Sequence, residues 1–333
     1  MQPWGAGMTD RVFLTPDTVD YLVWTYRDLL KNGADGINFD ETFVVSQTNP
    51  DLSEVRDYKG RVIPETGILA ARGMMRRMAH LMDDMGFKER LLAPHLTNTM
   101  IIPEFAFCNI GICWEYGTYG NFIDLFPPDY CRAHSSGLQA GLRQFALFCY
   151  ENDPMRGKIP RREYCERRNR SFRTALAMSL QHQIQPMQRY WGDFTEQYWA
   201  RYVLWAFGTH KKDCAFMPYW GRDNPFSVSE GFIAGAYRRG SSVLFVVSNL
   251  GKKATARIAF DPKALGLGAN AKAMMIGPPF GNCRKPDELA LSSDERIVKV
   301  EIPDFEYKFV FVGAGEFGEM LAPPDPDMGF IID

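Results

Sequence analysis

A helical stretch that runs straight into a short apolar segment constrains the fold of this chain most. Between Thr15 and Gly33 the apolar residues recur at helical spacing, with Pro16 near the start and Gly33 at the end. Residues 36–41 then read GINFDE, an apolar run that ends in two adjacent carboxylates. The pattern predicts a helix followed directly by a strand, which is a unit of an α/β fold.

The two faces of this predicted strand differ in character. Gly36, Asn38 and Asp40 share one side, and the two apolar residues between them share the other. A parallel barrel strand fits if the apolar side packs under helices and Asp40 reaches the mouth, where barrel enzymes keep their chemistry. Glu41 would start the following loop. Because neighbouring carboxylates raise each other's pKa, we interpret the pair as functional and not as a helix cap beside a solvated acid.

Two further strand ends carry polar residues. The segment LLAPH at 91–95 ends on His95, and Asn98 follows in a polar loop. The segment NIGICWEYG at 109–117 repeats the alternation of the first strand, with Glu115 on its small-residue side. We therefore predict that Glu115 lies at the mouth beside Asp40. The run QFALFCYE at 144–151 predicts another strand, typical of a buried parallel sheet.

The sequence pattern predicts helices and loops for the rest of the first 224 residues. We expect helices over 66–85, from Pro127 to about Leu138 and over 195–207, and a helix with a short strand over 171–187. The basic stretch 156–170 is predicted to be a solvated loop, since it lacks the interleaved aromatic residues of a nucleic-acid groove.

After Pro225 the pattern changes to short β runs separated by turn residues. Six strands are predicted, at 232–238, 242–249, 254–260, 271–276, 297–302 and 307–312. Strands without helices between them predict an antiparallel β-sandwich. The expected domains are a barrel over 1–224, a sandwich over 225–315 and an irregular tail over 316–333.

The pattern of the first domain predicts a (β/α)8-type TIM barrel, but with fewer strands and fewer residues than a full barrel has. Only five or six barrel strands are found, and the segment before the sandwich is shorter than the ~250 residues that a full barrel takes. We infer that the first strands are missing, so that the chain resembles the C-terminal part of a longer protein. If the chain is complete, we expect the barrel to be open or degenerate.

Composition excludes several classes of function. The 38 basic and 40 acidic residues give a net charge of −2, which does not favour nucleic-acid binding. No apolar stretch is long enough to span a bilayer, and residues 1–15 contain no signal sequence. The seven cysteines form no CxxC motif and the five histidines no HxH or HExxH motif, so we expect no disulfide framework, metal or cofactor.

Five motifs together resemble glycoside hydrolase family 123-like proteins. They are GADGINFDE at 33–41, HLTN at 95–98, CWEYG at 113–117, FMPYW at 216–220 and VLFVVSNLG at 243–251. The resemblance covers roughly residues 10–312 and implies a catalytic barrel joined to a C-terminal β-sandwich. It also implies a β-N-acetylgalactosaminidase activity on a glycan substrate.

The resemblance maps the family's catalytic pair onto Asp40 and Glu41. It implies that Glu41 protonates the glycosidic oxygen while Asp40 orients the 2-acetamido group of the substrate. That group then attacks the anomeric carbon, which is the substrate-assisted exception to the two-carboxylate rule.

Other polar and aromatic residues are candidates for contacts with sugar. We expect His95, Asn98 and Glu115 to bind hydroxyl groups. The residues expected to stack on a pyranose ring are Tyr116, Trp191, Tyr219 and Trp220. For the last two, core packing at the junction of the domains is the competing explanation.

Two alternatives stay open at this point. Glu115 could act with Asp40 or Glu41 as an ordinary acid and nucleophile, without an acetamido group. The chain could instead bind glycan without cleaving it, in which case the acid pair would be held in salt bridges, for example to Arg72 or Arg76. The sequence predicts no oligomeric state.

Overall fold

The computed structural model contains mixed helices and strands. It describes residues 13–40, 42, 55–63, 66–96, 100–113, 120–147, 153–187, 194–276, 287–291 and 296–314. The helices are α1 (Pro16–Lys31), α2 (Ile68–Asp84), α3 (Ile102–Phe105), α4 (Phe122–Leu125), α5 (Pro128–Ser135), α6 (Arg161–Gln181) and α7 (Phe194–Phe207). None of these helices has the length and apolar character that crossing a membrane requires.

The strands fall into an early and a late group. The early strands are β1 (Gly36–Phe39), β2 (Leu91–Pro94), β3 (Ile110–Cys113), β4 (Leu138–Gln139), β5 (Leu142–Leu147) and β6 (Gln185–Met187). The late strands are β7 (Ala215–Met217), β8 (Phe226–Val228), β9 (Phe232–Arg239), β10 (Ser242–Asn249), β11 (Ala254–Phe260), β12 (Lys272–Ile276), β13 (Asp287–Leu289), β14 (Ile297–Ile302) and β15 (Tyr307–Gly313).

The described chain divides into two compact units. The first comprises the described residues up to 113 together with 134–147, and the second comprises 120–133 and everything from 153 onward. The domain boundary expected near residue 224 stays a prediction.

The first unit is built on parallel strands joined by helices. β1 pairs in parallel with β2 from Gly36–Leu91 to Phe39–Pro94. A parallel bridge between His95 and Ile112 joins the end of β2 to β3, and β3 pairs in parallel with β5. This order matches the predicted alternation of helix and strand. A closed barrel is not shown by the described residues.

Helix α1 covers the apolar face of β1, as its sequence predicts. Thr15 caps the helix by accepting a hydrogen bond from the backbone N–H of Thr18, and Pro16 occupies the first turn. On the strand, Ile37 and Phe39 are buried, and the Phe39 ring meets Tyr26 of α1 edge to face at 5.4 Å. Asn38 between them is exposed. The alternation predicted for this strand is therefore confirmed.

A buried carboxyl group lies in the connection between β2 and β3. Glu104 of the short helix α3 is 4% exposed, and burial raises its pKa to about 7. The sequence marks the position only as a lone acid within the apolar run IIPEFAF at 101–107.

The second unit contains the sandwich, and all six predicted strands are confirmed. One sheet has the order β13-β12-β15-β10-β9-β7 and the other β14-β11-β8. Every pair in both sheets is antiparallel. Val243, Phe245 and Val247 of β10 belong to the buried core that the sheets share. β7, β8 and β13 add three short strands that the sequence pattern did not predict.

The prediction of a basic loop at 156–170 is wrong in its second half. Residues from Arg161 onward form the first half of α6, a single helix of 21 residues. Arg and Glu have good helix propensity, and Arg162 pairs with Glu166 one turn later at 3.0 Å. The helix expected to continue to about Leu138 also ends earlier, at Ser135, and a short β4 follows.

The C-terminal end of α6 packs on the outer face of β10 through a buried amide. Gln181 Nε2 donates to Val246 O at 2.7 Å and to Ser248 Oγ at 2.9 Å, and Oε1 accepts from Gly235 N at 2.8 Å. Each of these groups is buried, so the hydrogen bonds offset desolvation that would otherwise be costly. The amide fixes where the helix meets the sheet.

We expect Gly36→Ala to destabilise the protein by about 2–3 kcal/mol, because β1 and β2 leave no room for a methyl group there. A Cβ at Gly36 would lie 2.4 Å from both the Cβ and the carbonyl oxygen of Leu91. The matched control is Gly73→Ala on α2, where no atom lies within 4 Å. That change should stabilise the helix by about 0.5–1 kcal/mol. Equal unfolding free energies in urea for the two variants would contradict the packing described for β1.

We expect Glu104→Gln to remove a pH dependence of stability. The pKa of Glu104 is about 7 in the folded state, above the unfolded value of 4.5, so the native state binds the proton more tightly. Tighter binding of this proton raises the free energy of unfolding. The contribution is complete below pH 4.5 and is lost as the pH rises through 7. Between pH 4.5 and pH 8 the free energy of unfolding of the Gln variant should therefore rise by about 3 kcal/mol relative to that of the parent protein. Urea unfolding at both pH values measures this, with exposed Glu89→Gln as the control. A constant difference would show that the carboxyl group is not buried as described.

Candidate functional site

Asp40 and His95 meet at the carboxyl ends of β1 and β2. Asp40 Oδ1 lies 3.0 Å from His95 Nδ1, and the side chains are 84% and 6% exposed, respectively. The parallel register aligns Phe39 with Pro94, so the next residues on each strand, Asp40 and His95, are neighbours on the same face. A buried imidazole nitrogen thus contacts an exposed carboxylate.

The backbone around the acid pair is tied to His95 on both sides. His95 N donates to Phe39 O at 2.9 Å, and Thr42 Oγ1 donates to His95 O at 2.9 Å. Glu41 itself lies outside the described residues. Its two chain neighbours, Asp40 and Thr42, both make hydrogen bonds to His95.

The register of the sheet separates Asp40 from the small-residue side of β3. Ile112 pairs with His95 and therefore shares the face of Asp40. Gly111 and Cys113 alternate with Ile112, so they lie on the opposite face, that of Phe39. The sequence pattern places Glu115 on the same side of the strand as Gly111 and Cys113, and it predicts that this side is also the face of Asp40. Glu115 lies outside the described residues, and its place beside Asp40 stays a prediction.

Three more of the expected sugar contacts fall where the structure gives no description. Asn98, Tyr116 and Trp191 lie outside the described residues. Arg72, a candidate partner of the acid pair in the binding-only alternative, has its guanidinium 5.1 Å from the ring centroid of Phe107. This contact holds its charge over an aromatic ring.

Tyr219 and Trp220 belong to an aromatic cluster of the second unit. Tyr219 and Trp220 meet edge to face at 4.8 Å, and the ring of fully buried His182 stacks on Trp220 at 5.5 Å. The guanidinium of Arg132 lies 5.6 Å from the Trp220 centroid. These contacts occupy part of the ring surface that a sugar would need. They favour the packing explanation for both aromatic residues.

His182 in this cluster is a neutral hydrogen-bonding group. Burial lowers its pKa to about 4, so the ring carries one proton at neutral pH. Nδ1 donates to Met178 O at 2.7 Å, because a carbonyl oxygen only accepts, and Nε2 then accepts from Tyr219 Oη at 3.0 Å. Burial in turn raises the pKa of Tyr219. The cluster is a satisfied polar network within the second unit.

A cleft of about 470 Å³ lies at the other end of the parallel strands from Asp40. It is lined by residues 88–90 and 106–109, which directly precede β2 and β3. In parallel α/β sheets chemistry takes place at the carboxyl ends of the strands, so this cleft is on the wrong side for the acid pair.

The five described cysteines are free thiols. Cys108, Cys113 and Cys131 are buried, whereas Cys165 and Cys214 are partly exposed. Burial raises the pKa of the buried Cys108 and Cys131 thiols to about 12, which makes them poor nucleophiles. Neither of these two buried thiols is a candidate for chemistry.

Comparison with known proteins supports the fold. No protein-family model matches the sequence, and no curated protein is significantly similar to it. Among solved structures, an α-amylase from Anoxybacillus is 8% identical to this chain with a TM-score of 0.51. The match covers 94% of this chain and 66% of the amylase. A family 27 β-L-arabinopyranosidase from Geobacillus stearothermophilus is 9% identical with a TM-score of 0.50, over 90% of this chain and 63% of that enzyme.

The chain therefore spans slightly less than two thirds of the length of these two enzymes. At such low identity the likeness concerns the fold alone. The arrangement of mixed helices and strands followed by a sheet domain is one that this chain shares with glycoside hydrolases.

Proposed function

We propose that the protein is a glycoside hydrolase whose chemistry is carried by Asp40 and Glu41. One observation carries the proposal. Asp40 extends from the carboxyl end of a parallel strand, on the face away from α1, in a fold shared with glycoside hydrolases. Barrel hydrolases place their catalytic carboxylates at this end of the sheet. The exposed carboxylate is accessible to a ligand.

The resemblance to family 123 supports a finer proposal, which is substrate-assisted cleavage of a β-N-acetylhexosaminide of the N-acetylgalactosamine type. In the first step the acetamido oxygen of the substrate attacks C1 and the bond from C1 to the leaving oxygen breaks. Glu41 donates its proton to that oxygen, and Asp40 accepts a hydrogen bond from the acetamido N–H. Water then attacks C1, the bond from C1 to the acetamido oxygen breaks, and the water gives a proton to the Glu41 carboxylate. The acetamido group and the acid are thereby regenerated, and because C1 is displaced twice the anomeric configuration is retained.

We expect Glu41→Gln to lower kcat by about 10²–10⁴-fold on a glycoside with a poor leaving group, because the departing oxygen loses its proton donor. On a 4-nitrophenyl glycoside, whose leaving group needs little protonation, the loss should be much smaller. Asp35→Asn is the matched control, since this exposed acid lies at the amino end of the same strand. Its activity should equal that of the parent protein.

Two results would contradict this part of the proposal. Equal activity of Glu41→Gln and the parent protein on both substrates would exclude Glu41 as the acid. Failure of the parent protein to hydrolyse any of a panel of chromogenic β-N-acetylhexosaminides, other β-glycosides and α-glycosides would exclude a glycosidase.

Substrate assistance makes a separate prediction about the 2-acetamido group. The β-galactoside that lacks this group should be hydrolysed at least about 10²-fold more slowly than the N-acetylgalactosaminide, and Asp40→Asn should lower kcat by about 10²–10³-fold. A thiazoline analogue of the cyclised intermediate should inhibit competitively. Comparable hydrolysis of both substrates, without inhibition, would instead favour an ordinary carboxylate nucleophile.

A further inference from the structure

We propose that His95 is a positioning residue that holds the Asp40 carboxylate in place and does not itself bind sugar. The inference rests on the proposed glycosidase function and gives His95 a role other than the hydroxyl contact expected from the sequence. Its basis is that one buried residue makes three separate hydrogen bonds to the segment 39–42.

The three contacts act on different parts of that segment. The His95 backbone N–H donates to Phe39 O, and its carbonyl oxygen accepts from the Thr42 hydroxyl group. Its ring contacts the Asp40 carboxylate at 3.0 Å. His95 thereby contacts the residue before Asp40, the Asp40 side chain and Thr42. Because His95 lies at the end of a strand that pairs with β1, it moves with the same sheet.

The ring contact also determines the tautomer of His95. An ionised carboxylate only accepts hydrogen bonds, so Nδ1 of His95 carries a proton and donates it to Asp40 Oδ1. A carboxylate has about four acceptor positions on its two oxygens, so accepting from His95 leaves capacity for a substrate N–H. The bond orients the carboxylate without using up its ability to accept.

The difference in exposure between His95 and Asp40 distinguishes a positioning role for His95 from direct contact with the ligand. The His95 side chain is 6% exposed, whereas the Asp40 side chain is 84% exposed. A sugar that reaches the carboxylate therefore meets little of the imidazole. Changes to His95 should act through Asp40 and should alter kcat more than KM, because misplacement of a catalytic group by about 1 Å can cost about 10²-fold in rate.

The tautomer can be measured without any activity. In protein labelled with ¹⁵N at histidine, the His95 signal, assigned by its loss in His95→Asn, should show a proton on Nδ1 at pH 7. In Asp40→Ala the acceptor is gone, and the population should shift toward the Nε2-protonated form. Absence of the proton from Nδ1 in the parent protein, or an unchanged signal in Asp40→Ala, would overturn the inference.

Kinetic measurements test the expected effect on kcat with two substitutions of His95, one that removes the hydrogen-bond donor and one that keeps a donor. His95→Leu keeps an apolar volume but has no donor, and kcat should fall by about 10–100-fold while KM changes by less than about 3-fold. His95→Asn places an amide N–H where Nδ1–H lies and should recover most of that loss. His80→Asn on the exposed side of α2 is the control and should leave both constants unchanged.

The outcomes for the two proposals are distinct. A proton on Nδ1 together with no hydrolysis by the parent protein would overturn the glycosidase proposal and leave the contact between His95 and Asp40 standing. Hydrolysis by the parent protein together with an unchanged kcat in His95→Leu, or a larger effect on KM than on kcat, would overturn the positioning role alone. The ¹⁵N measurement decides the case in which His95→Leu does not fold.

Discussion

The parallel register of β1 and β2 is the constraint on which the candidate site depends. Because side chains alternate faces, a slip of one residue would move Asp40 to the side of Phe39 and away from His95. The register is held by burial of Ile37 and Phe39 against the helix side and by the close approach of Gly36 to Leu91. Apolar packing at one face therefore determines which polar groups meet at the other.

The second unit uses a different principle for its own organisation. β10 is buried on both faces, since its core side packs in the sandwich and its outer side carries α6. Burial on both faces keeps water away from the backbone there, and the amide of Gln181 bonds to Val246 O and Gly235 N. The helix is attached by hydrogen bonds whose geometry fixes its position, in addition to apolar contact, which is not directional.

The sequence predicted local elements well and non-local relations less well. The six sandwich strands alternate or run apolar between turns that contain glycine or proline, and such signals lie within a few residues. The start of α6 was missed because its first turns are charged all round and have no apolar periodicity. The apposition of His95 and Asp40 spans 55 positions in the chain and depends on strand register, which no local pattern reports. Glu104 was missed for the same reason, since its burial depends on tertiary packing.

The energetics of the Asp40 contact favour a role in function over a role in stability. A hydrogen bond from a buried donor to an exposed carboxylate contributes about 0.5–1.5 kcal/mol, or up to about 3 kcal/mol when a charge is involved. The Asp40 side chain is itself 84% exposed, so its removal loses little buried packing and costs at most the one contact with His95. The strand pairing, in contrast, is maintained by buried apolar residues on the opposite face. Stability and the placement of the carboxylate are thus carried by different sides of one strand, and a change in activity on substituting Asp40 can be interpreted as an effect on chemistry and not on folding.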